Sequence, residues 1–222
     1  MHFMTSKARL AALAVLLFSA AALFASGGTD EIDPATLDGE LVYIEGEVNL
    51  NGESADLGAV VRPGDRVVTG PESLAEVTFG RKNILQFGEN TNSVVEAAWG
   101  GVDLERGTVA AVLNGLAQLG FGDDKRFQVN TSTAVMAVRG TSFYIKNDDE
   151  NEAYFCTCHG KLHLETPDGQ LSEETEAYHH AAIWYVQTPD GIRSYPSGLH
   201  YHDDETLEDL AVKVRTTINW KD

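Results

Sequence analysis

The run Arg126-Phe-Gln-Val-Asn-Thr-Ser-Thr-Ala-Val-Met-Ala-Val-Arg-Gly-Thr-Ser-Phe-Tyr-Ile145 commits this chain to β structure more firmly than any other stretch. It reads as two strands joined through Arg139-Gly140-Thr141. Val135, Ala137, Phe143 and Ile145 fall on alternating positions, the period of a half-buried strand. A glycine between strands marks a bulge or tight bend that a Cβ would obstruct. Arg139 sits among apolar residues and needs a carboxylate or carbonyl partner if it turns inward. Asp65 and Glu76 are the candidate acids.

Short β-rich runs recur from Leu41 onward, among them Val102–Leu104, Thr108–Leu113, Ala134–Val138, Ser142–Ile145, Glu152–Cys158 and Lys161–Leu164. Turn chemistry separates them, as at Asn51-Gly and Pro63-Gly-Asp. This spacing predicts an all-β fold, a roll, solenoid or sandwich. Asn114 to Asp124 breaks the pattern and reads as a loop with a short helical turn, and Lys146 to Glu152 reads as an acidic hairpin tip. A short C-terminal α-helix is capped by Asp203 or Asp204 and carries one apolar stripe, Leu207, Leu210 and Val214.

The signature Val138-Arg-Gly-Thr-Ser-Phe143 strongly resembles that of FecR-domain proteins. Gly46-Glu-Val, Val61-Arg-Pro-Gly-Asp-Arg-Val-Val-Thr-Gly70, Ser73 to Phe79, Glu89-Asn-Thr91 and Leu104 to Val109 follow that family's order, so the resemblance covers about Leu41 to Thr166. It implies a FecR-like β-roll, solenoid or sandwich, a cell-envelope location and a role in relaying signals, with Arg139, Gly140 and Thr141 as structural signature residues. The family's sigma-regulating members place a cytoplasmic helical domain before the membrane segment. Only nine residues precede the apolar stretch here, which argues against direct contact with a sigma factor. An envelope protein or polymer is the expected partner.

Lys7 and Arg9, the apolar segment Leu10 to Phe24 and Ala25-Ser-Gly-Gly make up a secretory signal peptide by their order and lengths. At 15 residues the apolar segment is short for a membrane span. The expected organisation is a signal peptide over 1–26, a flexible linker over 27–40, a FecR-like β domain over 41–166 and a His-rich extension over 167–222. Removing Lys7 and Arg9, with no acid lost, moves the formal charge from −18 to −20. Such a surface repels nucleic acid and anionic lipid. The chain is expected to be exported, with no membrane span after cleavage.

The only cysteines, Cys156 and Cys158, stand in Tyr154-Phe-Cys-Thr-Cys-His-Gly160. Residues i and i+2 of a strand share a face, with backbones about 6.6 Å apart. That separation is the upper edge of disulfide geometry but suits a soft metal. Every histidine after His2 falls between positions 159 and 202. Cys156, Cys158, His159, His179, His180 and His202 are the candidate ligands, of which a subset is expected. Two thiolates would be joined by one imidazole from His179-His180 and one from His200 or His202, around zinc, iron or copper. A strained disulfide and two inert buried thiols are the competing readings. The spacing is not that of a c-type haem box. The sequence holds no serine-hydrolase elbow, phosphate loop or metalloprotease helix, so a non-enzymatic binding or sensing module is expected, with a periplasmic metal or redox protein as the alternative.

Overall fold

Six of the short strands expected from sequence are three long ones, each bent at a glycine. The computed structural model describes residues 37–121 and 126–221, without the side chains of Arg139 and Thr141. The expected signal peptide and most of the linker lie outside the described residues. The described strands are β1 (Gly39–Glu45), β2 (Val48–Leu50), β3 (Glu53–Ser54), β4 (Val60–Val61), β5 (Arg66–Thr69), β6 (Leu74–Phe79), β7 (Asn83–Phe87) and β8 (Asn92–Val95). They continue with β9 (Gly101–Leu113), β10 (Phe127–Asn130), β11 (Val135–Asp149), β12 (Glu152–Glu165), β13 (Ser172–Ala177), β14 (Ala181–Thr188) and β15 (Gly191–Ser197). One α-helix comes after them, α1 (Asp204–Lys213). The fold is all-β with a short C-terminal helix, as the turn spacing predicts.

The strands hydrogen-bond in the order β15-β14-β12-β11-β10-β9-β7-β6-β1-β4, and β13 pairs with β12. The long strands serve two neighbourhoods each. The first half of β12 pairs with β14 and its second half with β13, so the segment after Thr166 continues the same sheet. The second half of β9 runs between β7 and β11. Gly107 (φ +99°) bends β9, Gly140 (φ +54°) bends β11 and Gly160 (φ +112°) bends β12. A positive φ is unstrained only for glycine, so these positions permit a corner without ending the strand.

The bend in β11 and β12 also swaps their faces. Their register slips between Arg139 and Ser142 and again between Ser142 and Phe143, one extra residue on each strand. A one-residue slip sends side chains to the opposite face. Before the bend, Met136 and Val138 enter the main core, and after it Phe143 and Ile145 do. Val135 and Ala137, the alternating pair of the first run, stand outside the main core, although Ala137 is buried. On β12, Ala153 and Phe155 face the main core while Tyr154, Cys156 and Cys158 face the other way.

The main core is closed by Trp99, stacked on Phe79 with ring centroids 4.3 Å apart and donating its indole N–H to the Leu37 carbonyl at 2.8 Å. A second apolar cluster forms on the outer face, where Leu207, Leu210 and Ala211 of α1 cover Ile84, Ala110, Val112 and Tyr144. Asp203 caps α1 by accepting from the Thr206 N–H at 3.0 Å. The helix's other end is held by Lys213, whose ammonium donates to both oxygens of buried Glu76 at 2.7 Å. Asp65 accepts from the Arg62 backbone and Asn51, each at 2.7 Å. Both acids suggested for Arg139 therefore have other partners, and the Arg139 side chain itself lies outside the described residues. Leu116–Leu119 forms the expected helical turn, and Glu150-Asn151 the tip of the β11–β12 hairpin.

The bends rank by cost. Gly140→Ala should lose about 1–2 kcal/mol, the cost of placing a side chain at this φ. Gly107→Ala should lose more, because its Cβ would also lie 2.4 Å from the Thr91 Cα. Urea unfolding midpoints measure both, and a Gly140→Ala loss exceeding that of Gly107→Ala would contradict this explanation of the corners.

Candidate metal centre

The outward phase of β12 puts Cys156 and Cys158 side by side, fully buried beneath the C-terminal segment. Both are free thiols. Three backbone devices bring histidines to them. His180 occupies the turn before β14 at φ +50°, and its N–H donates to the Cys158 carbonyl at 3.0 Å. The Tyr154 hydroxyl accepts from the His200 N–H at 3.1 Å and donates to the Gly198 carbonyl at 3.3 Å, tying the segment before α1 to β12. The cap at Asp203, the residue after His202, then starts the helix at Asp204.

Four donor atoms converge as a result. Those of Cys156, Cys158, His180 and His202 all lie within 4.8 Å of one another. Cys156 Sγ is 3.5 Å from His180 Nδ1, and Cys158 Sγ is 3.3 Å from His202 Nε2. A tetrahedral ion with usual metal–sulfur and metal–nitrogen bonds needs a sulfur–nitrogen edge of about 3.5 Å. The cluster is therefore already close to the size of such a coordination shell.

The remaining ring nitrogens are engaged too. His180 Nε2 donates to the Asp204 carboxylate at 2.7 Å, and His202 Nδ1 donates to the His200 carbonyl at 2.9 Å. Carboxylate and carbonyl oxygens only accept here, so each proton is assigned to the nitrogen facing away from the sulfurs. The lone pairs then point at the thiols, the arrangement that outer partners impose on metal-binding imidazoles. Tyr144 stacks on His202 at 4.3 Å and Trp220 on His180 at 5.2 Å, walling the two rings with apolar surface.

The electrostatics favour one thiolate even without an ion. Hydrogen bonding from Cys158 holds the Cys156 thiol well below the usual thiol range against the opposing effect of burial, with His180 and His202 assisting. Burial, and then the neighbouring Cys156, push Cys158 up. The pair shares its protons as a unit. Burial works to lower His180, yet hydrogen bonds to Cys156 and Asp204 raise it overall. Asp204 is lowered, chiefly by His180.

Other candidates lie outside this set of four. His179 donates to Asp204 at 3.1 Å, supporting the carboxylate that orients His180. His159 packs edge-on to Tyr178 and Trp220. His200 lends its carbonyl to His202, and His163 meets the Ser172 hydroxyl at 3.3 Å. Sequence reasoning missed Asp204 as an orienting group, seeing in it only a helix cap. It missed Tyr144, Tyr154 and Trp220 entirely, since nothing local marks an aromatic as the wall of a site.

Residues 65–162 match the FecR protein family. This segment is a FecR domain. No curated protein matches the chain. Two crystal structures of a candidate anti-sigma factor from Parabacteroides distasonis, at 1.65 and 2.50 Å resolution, are similar at 17% identity with TM-scores of 0.47 and 0.45. In each comparison 60% of this chain is covered, and it spans only 59% of the other protein. Cys156 and Cys158 fall inside the FecR domain; His180, His202 and Asp204 fall beyond its matched end. The cluster thus straddles the boundary between the domain and the C-terminal segment.

The orienting role of Asp204 predicts a ranking. Asp204→Asn should bind zinc about 10–100-fold more weakly than the unaltered chain, the usual cost of losing an outer partner. His159→Ala should bind as the unaltered chain does. Competition with a chromophoric chelator reads both, and equal affinities for Asp204→Asn and the unaltered chain would contradict the assignment.

Proposed function

We propose that this chain is a non-enzymatic binding and sensing module of the bacterial cell envelope, in which a FecR scaffold holds a transition-metal ion between Cys156, Cys158, His180 and His202. One observation carries the reading: two sulfurs and two lone-pair-bearing imidazole nitrogens converge, and each imidazole's other nitrogen is fixed by an acceptor. The FecR domain supports the sensing role, since relaying envelope signals is what that resemblance implies. The basic start and apolar segment of the N-terminus support export. An envelope protein or polymer met through the β scaffold is the proposed partner, and the acidic charge disfavours nucleic acid.

A second reading is favoured by a line of contacts. Cys156, His180 and Asp204 stand in the order nucleophile, base and orienter. Two features weigh against it: Cys156 is fully buried, and a triad has no use for a second thiol and a second imidazole on the same point.

Untagged protein recovered from the periplasm of an expressing bacterium decides among these. The proposal expects a mature mass that begins near Gly27, two reduced thiols and close to one transition-metal ion per chain. It also expects the metal to be absent from a Cys156→Ser, Cys158→Ser variant. A metal-free protein lighter by two hydrogens would establish the disulfide instead. Ester hydrolysis abolished by Cys156→Ser would establish the triad.

A further inference from the structure

The six candidate ligands and the line between Cys156 and Asp204 leave open what kind of ion the centre takes and what it does for the fold. We infer that the centre is a closed clasp: it takes a four-coordinate ion of the zinc class and, in doing so, fastens the start of α1 to the FecR domain. The inference rests on the metal reading of the cluster and names its ligand and its consequence.

The choice of ion follows from the donor set. Two thiolates with two neutral imidazoles in tetrahedral array suit zinc, an ion with no geometric demand of its own. Asp204, the nearby carboxylate, is occupied by His179 and His180 and stands outside the set of four donors. Catalytic zinc sites keep one position for water, whereas structural ones are filled by four protein ligands. Here both sulfurs are buried and aromatic rings lie over both imidazoles, as a site filled by four protein ligands requires. On binding, the protons still shared among the two sulfurs and the imidazole nitrogens facing them leave to solvent, so the sulfurs bind as thiolates and the imidazoles through those nitrogens.

The consequence follows from where the ligands sit in the chain. The sulfurs belong to β12, a strand paired on both sides. His180 is 22 positions beyond Cys158, and His202 another 22 beyond His180, immediately before the cap of α1. A helix of 10 residues is too short to persist alone in water, so α1 depends on what docks it. Its far end is docked by Lys213 on Glu76 and by the Asn114 amide donating to the Thr216 hydroxyl at 2.9 Å. Its near end is docked by His202 and by Asp204, both of which run through the centre. Without the ion, the near end keeps the hydrogen bonds of Tyr154 and Asp204, the stack of Tyr144 on His202 and the contacts of Leu207, but loses the coordinate bond that would fix His202 to β12. That face of the sheet, Ile84, Ala110 and Val112, is the surface α1 covers.

The test uses the mature chain, stripped of metal and reloaded with zinc or with cobalt as an optical stand-in. Cobalt should give the intense visible bands of a tetrahedral ion together with thiolate charge-transfer bands. Hydrogen exchange at amides of residues 199–210 should slow by at least about tenfold on zinc loading, while β6 and β7 stay unchanged. His202→Ala, an alteration in a half-buried segment outside the sheet, should take up cobalt more weakly and leave α1 exchanging at the stripped rate when zinc is added. A weak octahedral cobalt spectrum, or α1 exchanging equally with zinc bound and absent, would overturn the clasp while leaving a metal-binding protein. Failure to take up either ion would overturn the metal reading beneath it.

Discussion

Everything in this architecture depends on the first half of β12, Ala153 to Cys158, having no solvent face. Its pleat sends Ala153 and Phe155 into the main core, and Tyr154, Cys156 and Cys158 into the cluster beneath α1. A strand buried on both sides reads as a continuous apolar run, and the cysteines pass as small hydrophobes within it. The same burial makes the thiols costly to leave unpartnered. His180 and His202 complete what the pleat begins, each delivered by a turn whose hydrogen bonds end on β12 or on the start of α1.

The arrangement is not the cheapest way to cover this face. An apolar side chain at His180 or His202 would pack against Tyr144 and Trp220 with no lone pair to satisfy. The chain instead holds His180 at φ +50° and Tyr201 at φ +68°, conformations that disfavour residues bearing a Cβ. Such strain persists where surrounding contacts over-determine it, and it gathers at binding sites. The proposed ion would account together for the convergence of four donors, the orientation of the two imidazoles and the local strain.

Much of the fold is legible in residues 126–145 and their upstream companions, and the reasons for the misses are physical. A glycine amid alternating residues looks the same in sequence whether it ends a strand or bends one, so β9, β11 and β12 each read as two strands. The bulge at Gly140 reverses which residues face inward, so the alternation through Val135 and Ala137 does not continue into Phe143 and Ile145. β13, Ser172–Ala177, has almost no apolar residue to give a period. At the site, the shared face of Cys156 and Cys158 follows from strand geometry alone. The choice of His180 over His179 does not, because it depends on a turn and on Asp204, 24 positions away.

X-ray absorption at the zinc edge of the zinc-loaded protein tests the central claim most directly. The clasp requires a coordination shell of two sulfurs at about 2.3 Å and two nitrogens at about 2.0–2.1 Å, with the outer scattering of two imidazole rings. A shell containing an oxygen from water or Asp204, or only one sulfur, would contradict it.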